Sequence, residues 1–245
     1  MPVTWQVVGV LAAASAAAFV LAWLSAVAGF GGGVLLLPVF TALFGLRTAI
    51  PVLTLTQLSS NASRAWLNRG HLRWAIIGRF ALGAVPLALA GGLLLAAAPL
   101  APLKRVLGVF LVVVVVWRRL RPNPRRPSLP AFTAVGAASG LGSALLGSVG
   151  PLTAPFFLAY GLARDAYIGT EATCALVLHV TKLIAYGAGS LLNPTVLWLG
   201  VALTPATLAG AWVGKRTVGR LSDRLFTRLV EAGLVVAGVL FLVGL

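Results

Sequence analysis

The chain has 245 residues, of which 60% are hydrophobic and only 9% are charged, and this composition excludes a soluble globular domain. Its formal net charge of +15 comes from 19 Lys and Arg against four Asp and Glu. In a soluble protein such an excess would indicate nucleic-acid binding. Here the basic residues crowd into 64–79, 118–126 and 215–228, as the positive-inside rule predicts for cytoplasmic loops. We therefore expect a multi-pass membrane protein that contacts lipid and no nucleic acid.

The predicted fold class is all-α, a bundle of transmembrane helices. Uncharged stretches over 80–103, 131–163 and 183–214 each meet or exceed the roughly 20 residues that cross a bilayer as a helix. The single cysteine, Cys174, permits no internal disulfide, and no Cys/His cluster has the spacing of a metal site. We expect neither a metal nor another cofactor.

In chain order, the first predicted element covers 5–46 and is interrupted by the glycine-rich segment 29–33. No basic segment precedes its long apolar run, so we expect it to be the first membrane element and not a cleaved signal peptide. Three helices follow, over 48–66, 74–95 and 103–117. After a basic, proline-rich linker the order recurs, with an interrupted element over 131–163 and helices over 166–186, 195–214 and 229–245.

Matched residues indicate an internal repeat. We divide the chain into a first repeat, 1–117, a cytoplasmic linker, 118–130, and a second repeat, 131–245. The matched pairs are Gly33 with Gly150, Pro38 with Pro155 and Arg47 with Arg164 at an offset of 117, then Pro86 with Pro205 and Gly91 with Gly210 at an offset of 119.

The distribution of charge predicts that the two repeats are inverted. If all three basic segments are cytoplasmic, helix 48–66 runs inward and its counterpart 166–186 runs outward. Element 131–163 then enters and returns as a broken hairpin, and 5–46 does the same from the outside. Alternatively, 5–29 is long enough to cross the membrane outright, which would place the N-terminus inside.

The glycine runs predict a binding site for an anion. Irregular backbone at membrane depth leaves amides free, and the positive ends of two short helices, 34–45 and 152–160, would meet there. The alternative is that these glycines only allow close helix packing. The candidate residues in the two interruptions are Gly31, Gly32, Gly33, Ser148 and Gly150.

Polar residues on two helices complete the predicted site. Gln57 and Asn61 lie on one face of 48–66 with Thr54 and Arg64, and could instead hydrogen-bond between helices. Ionisable residues at membrane depth are costly and usually functional, which makes Glu171, His179 and Lys182 candidates. Glu171 and His179 are also candidates for proton coupling, whereas Glu171 could be a structural ion-pair partner and Lys182 could extend to the interface. Arg47, Arg64 and Arg164 are expected at helix ends, and Cys174 in packing.

Several segments together resemble the sulfite exporter TauE/SafE family of bacterial membrane permeases. They are GFGGGVLLLPVF, its weaker echo GSALLGSVGPLTAPFF, ATCALVL and GAWVGKRTVGRLSDRLFTRLV. The echo departs from the family pattern at Ser148–Pro151, where three glycines are usual, and Ser148 adds a hydroxyl donor there. The resemblance implies export of sulfite or organosulfonates such as sulfoacetate across the bacterial cytoplasmic membrane.

We therefore expect a secondary transporter with alternating access and no enzymatic activity, with protons as a candidate coupling ion and a second copy of the chain as a candidate partner in a homodimer. No G-x-x-x-x-G-K-[ST] motif for ATP binding is present. Two alternatives stay open: a passive anion channel, and an intramembrane hydrolase with Ser148 as nucleophile and His179 as base.

Overall fold

The structure is a computed structural model. It describes residues 5–28, 33–97, 126–148 and 150–217, with isolated positions between 99 and 120 and between 235 and 243. The predicted helices 103–117 and 229–245 fall largely outside the described residues, and Gly31 and Gly32 fall wholly outside them. The described helices are α1 Trp5–Ala28, α2 Gly33–Phe44, α3 Leu46–Leu67, α4 Trp74–Ala97, α5 Ala131–Leu146, α6 Gly150–Ala159, α7 Arg164–Ala188 and α8 Pro194–Thr217.

The described part of the chain contains no strand, and the all-α prediction is confirmed for it. The long helices α3, α4, α7 and α8 extend their predicted ranges by at most three residues at either end. Among the described residues, three segments are long and apolar enough to cross a membrane: Trp74–Ala97, Asp165–Ala188 and Pro194–Gly214. Their outward faces carry exposed apolar side chains such as Leu82 and Val201, as lipid contact requires.

Both predicted interruptions are present as helix ends. α1 ends at Ala28 and α2 begins at Gly33, while α5 ends at Leu146 and α6 begins at Gly150. Gly147, which follows α5, has φ +80°, a conformation that a residue with a side chain rarely adopts. The arms differ in length: α1 has 24 residues, about 36 Å, and α5 has 16, about 24 Å. Of these two helices, α1 is longer than the roughly 30 Å hydrocarbon core of a bilayer and α5 is shorter.

Local chemistry explains where α8 begins. Pro194 occupies its first position, where the missing N–H would have no partner in the helix. The side-chain oxygen of Asn193 accepts a hydrogen bond from the Val196 N–H at 3.0 Å, which caps the exposed end. α8 therefore begins at Pro194, directly after its capping residue Asn193.

Helices of the two halves pack across each other. α4 contacts α5 and α7, α8 contacts α1 and α3, and α3 and α7 contact each other. Glycines allow the closest approaches, because a side chain at Gly83 of α4 would collide with the Thr133 carbonyl and one at Gly136 of α5 with the Phe80 carbonyl. Gly210 of α8 lies in the same way against the Phe19 carbonyl of α1.

Two apolar clusters flank the contact between α3 and α7. One is formed mainly by α1, α2, α3 and α8, with Phe40 and Leu53 fully buried in it. The other is formed by α4, α5, α6 and α7 around Phe132 and Phe157. Polar side chains of α3 and α7 are buried beside these clusters, which is the arrangement that creates the candidate site.

Candidate functional site

A cavity opens between α3, α5, α6 and α7, and six of the predicted site residues line it. They are Gln57, Asn61, Ser148, Gly150, Glu171 and His179. The volume in which the centre of a water molecule fits is about 40 Å³. A single water needs about 10–15 Å³ by that measure, so the cavity has room for a few waters or one small ion.

The N-terminal end of α6 lines this cavity, and the N-terminal end of α2 lies next to it, against Ser148. Gly33, the first residue of α2, is buried, and a Cβ on it would lie 2.8 Å from both Cβ and Oγ of Ser148. Gly150, the first residue of α6, lines the cavity beside Ser148. First-turn amides of a helix have no partner within the helix and carry its positive dipole end. The structure thus brings together the two interruptions that the sequence set 117 residues apart.

Arg64 and Glu171 form an ion pair at one side of the cavity. The Arg64 guanidinium donates to Glu171 Oε2 at 2.9 Å, and the two side chains are 21% and 7% exposed. Arg64 lies in the last turn of α3, the helix end at which sequence analysis expected it. Its partner could not be found from sequence, because the pairing depends on α3 packing against α7.

Asn61 connects this ion pair to His179. The Arg64 guanidinium also donates to Asn61 Oδ1 at 3.2 Å. Asn61 Nδ2 donates to the Gln57 backbone carbonyl at 3.0 Å and lies 3.1 Å from His179 Nε2. The predicted alternative for Asn61, a hydrogen bond between helices, is therefore present alongside its position in the cavity wall.

Lys182 lies apart from the cavity lining and is fully buried. Its ammonium donates to Ser143 Oγ at 2.9 Å, to the Gly147 carbonyl at 3.0 Å and to the Ser143 carbonyl at 3.5 Å. These oxygens belong to the C-terminal end of α5 and the residue after it, where a cation is favoured by the helix dipole. Lys182 therefore holds the break between α5 and α6, and direct substrate contact by its ammonium stays a prediction.

The cavity also includes residues that sequence analysis did not single out. Ser143 on α5 and Thr153 on α6 lie on the two sides of the second interruption, and Phe80 and Phe157 give the cavity an apolar wall. The Thr153 hydroxyl donates to the Gly150 carbonyl at 3.0 Å. The only signal available in the sequence was the closeness of Ser143 and Thr153 to the glycine-rich break.

The charges near the cavity are two cations, Arg64 and Lys182, and one carboxylate, Glu171, among the described residues. With two helix N-termini added, the surroundings are positive, as a small anion requires. The fold and this cavity together define a helical membrane protein with an internal candidate site for an anion.

A family model described as sulfite exporter TauE/SafE matches residues 14–241, nearly the whole chain. The chain belongs to this family, whose members are membrane transporters that export sulfite and related anions. The resemblance noted in the sequence is confirmed. Searches among curated proteins and among solved structures found no match to this chain.

Proposed function

We propose that this protein is a secondary transporter that exports sulfur-containing oxyanions, either sulfite or organosulfonates such as sulfoacetate, across the bacterial cytoplasmic membrane. Family membership supplies the transporter class. The observation that supports the rest is the cavity lined by Ser148 and Gly150 at the N-terminal end of α6, with Gly33 at the N-terminal end of α2 packed against Ser148. The anion binds there, to first-turn amides, to the Ser148 hydroxyl and to the side-chain amide of Gln57.

In our proposal, residues 1–117 and 131–245 are inverted repeats related by an approximate two-fold axis. This symmetry is what makes alternating access possible. Reciprocal packing supports it: α1 of the first repeat packs on α8 of the second, and α5 of the second packs on α4 of the first. α3 packs on α8 as α7 packs on α4. Rocking of two inverted repeats around a fixed site would open the cavity to each side in turn.

The proposed topology places the turn between α3 and α4 and the linker 118–130 on the cytoplasmic side. The turn exposes Arg69, His71 and Arg73, which the positive-inside rule favours there. Trp66 and Trp74 flank it and are 67% and 66% exposed, as expected of aromatic residues at a membrane interface.

A proton is the proposed coupling ion. Glu171 and His179 are the acid and the histidine that line the cavity, so a proton moving with the anion would visit one of them. The two residues differ in their partners, since Glu171 pairs with Arg64 and His179 with Asn61.

Binding and flux measurements test the proposal. Purified protein should be stabilised against heat by sulfite or sulfoacetate, and proteoliposomes should show saturable flux that an opposing anion gradient can drive uphill. Flux that rises linearly with concentration and never runs uphill would instead indicate a passive channel. Absence of binding by sulfite, sulfoacetate, thiosulfate, sulfate and taurine would contradict the proposal.

A hydrolase is not favoured by the geometry. It would need Ser148 hydrogen-bonded to His179, but within the described residues His179 Nε2 faces Asn61 and Nδ1 has no hydrogen-bond partner. Members of this family are transporters.

The Gly33→Val substitution tests the proposed backbone-amide site by adding side-chain bulk to it. The added side chain would displace Ser148 and cover the amides at the α2 terminus, so transport and anion binding should both be abolished while the protein still reaches the membrane. Gly78→Val is the matched control, because nothing lies within 4 Å of a Cβ at that position of α4. Normal transport by a well-expressed Gly33→Val variant would contradict a backbone-amide site.

A further inference from the structure

The hydrogen bonds around Asn61 determine which side-chain atom is oxygen and which is nitrogen. Arg64 can only donate, so the atom 3.2 Å from its guanidinium is the carbonyl Oδ1. The Gln57 backbone carbonyl can only accept, so the atom 3.0 Å from it is the amide Nδ2. Two independent contacts agree, and the orientation of the amide is therefore fixed.

The orientation of Asn61 in turn fixes the tautomer of His179. One hydrogen of Asn61 Nδ2 goes to the Gln57 carbonyl, and the other points at His179 Nε2, 3.1 Å away. Nε2 must accept this hydrogen bond and therefore carries no proton. In a neutral imidazole the proton is then on Nδ1. In a protonated ring Nε2 would also carry a hydrogen, so that Nε2–H and the Asn61 amide would be two donors facing each other.

The Nδ1–H group of His179 is thus a hydrogen-bond donor for which the described residues provide no acceptor. The side chain is 6% exposed, and Nδ1 has no partner in the part of the chain that the structure describes. His179 lines the same cavity as Ser148 and Gly150, at the N-terminal end of α6. A buried donor left unpaired costs free energy, and a ligand that accepts from it recovers that cost.

We propose that Arg64 and Asn61 hold His179 as a neutral imidazole whose Nδ1–H donates a hydrogen bond to the transported oxyanion. This rests on the proposed function. The oxygens of a sulfonate or sulfite group are acceptors that can match Nδ1–H, the Ser148 hydroxyl and the helix amides together. Arg64 and Asn61 are positioning residues that act through the imidazole. The proton-coupling role then belongs to Glu171 and not to His179.

Nitrogen NMR of His179 tests the tautomer directly, because the chain has only two histidines. His71 is exposed in the turn after α3, so His71→Gln protein labelled with ¹⁵N-histidine in lipid nanodiscs reports His179 alone. At pH 7 we expect a protonated Nδ1 and an unprotonated Nε2. Adding sulfite or sulfoacetate should move the Nδ1 resonance. A protonated Nε2, in either the neutral or the charged ring, would overturn the proposal.

Asn61→Asp tests the positioning step. A carboxylate at this place accepts a hydrogen bond, so the proton should move to Nε2 and anion affinity should fall about 10- to 100-fold as Nδ1 stops donating. Gln57→Glu adds the same charge to the same face of α3 and is the control for the tautomer alone, because Gln57 belongs to the proposed anion site and its substitution also changes affinity. It should leave the tautomer unchanged. An unchanged tautomer in Asn61→Asp would overturn the role of Asn61.

The outcomes separate this inference from the proposed function. If sulfite or sulfoacetate binds and the Nδ1 resonance does not move, the contact with His179 is wrong while the transporter proposal stands. If neither anion binds, the contact fails together with the proposed function, and the spectrum of the free protein still decides the tautomer.

Discussion

Two cations stand near the cavity, Arg64 partly buried and Lys182 fully buried, and they have different kinds of partner. Arg64 is 21% exposed and donates to the carboxylate of Glu171 at 2.9 Å. Lys182 is fully buried and donates to three neutral oxygens of Ser143 and Gly147. Among the described residues no carboxylate lies within ion-pair distance of Lys182. Within the described ranges, the charge of Arg64 is therefore compensated by a carboxylate and the charge of Lys182 is not.

This difference suggests that Arg64 and Lys182 have different roles. A buried charge pair contributes little net attraction for a ligand, because each partner offsets the field of the other. Arg64 and Glu171 serve mainly to fix α3 against α7 and to orient Asn61. The uncompensated charge of Lys182 is the one that an entering anion would balance. Removing each cation should therefore damage a different property of the protein.

The largest expected effect is on stability, from Arg64→Gln. The substitution leaves the Glu171 carboxylate buried without its cation, and loss of one partner of a buried pair costs about 3–5 kcal/mol. Unfolding of detergent-solubilised protein, followed by heat or by denaturant, would measure this loss.

The double variant Arg64→Gln with Glu171→Gln should recover most of that stability, because no unpaired charge remains. Arg69→Gln, an exposed arginine in the following turn, should change the unfolding free energy by less than about 0.5 kcal/mol. Equal destabilisation of the single and double variants would show that Arg64 contributes through packing and not through charge.

The next effect is on binding, from Lys182→Met. A unit charge about 8 Å from an anion contributes about 2 kcal/mol at an effective dielectric of about 20, so sulfite or sulfoacetate should bind about 30-fold more weakly. Calorimetry or thermal-shift titration would measure the change. Arg69→Met removes the same charge from an exposed position and should leave affinity within about twofold. An unchanged affinity in Lys182→Met would mean that its charge does not reach the site.

The smallest effect, and of opposite sign, is expected from Glu171→Gln. The amide oxygen can still accept from Arg64, but the carboxylate charge in the cavity wall is lost, so anion affinity should rise by about threefold to tenfold. If Glu171 carries the coupling proton, flux should also lose its dependence on an imposed pH gradient. Asp165→Asn, an exposed acid at the start of α7, is the control. Unchanged pH dependence would make Glu171 a structural residue.

Much of the site could be predicted from residue types alone. Ionisable residues are rare inside apolar stretches, which marked Glu171 and His179, and the matched interruptions in the two halves marked Gly33 and Gly150. The partners of these residues could not be predicted. Arg64 with Glu171 and Asn61 with His179 are separated by 107 and 118 residues, and Lys182 reaches back 39 residues to Ser143.

The sequence by itself determined the apolar helices, their interruptions and the inward position of the polar residues, because lipid tolerates neither open backbone nor isolated charge. Only the tertiary contacts show which charge is paired and that His179 Nδ1 has no hydrogen-bond partner among the described residues. Both depend on the crossing of α3 with α7 and on the turn at Gly147. A hydrogen bond requires its donor and acceptor to lie about 3 Å apart, and the number of residues between them in the sequence does not reveal such a distance.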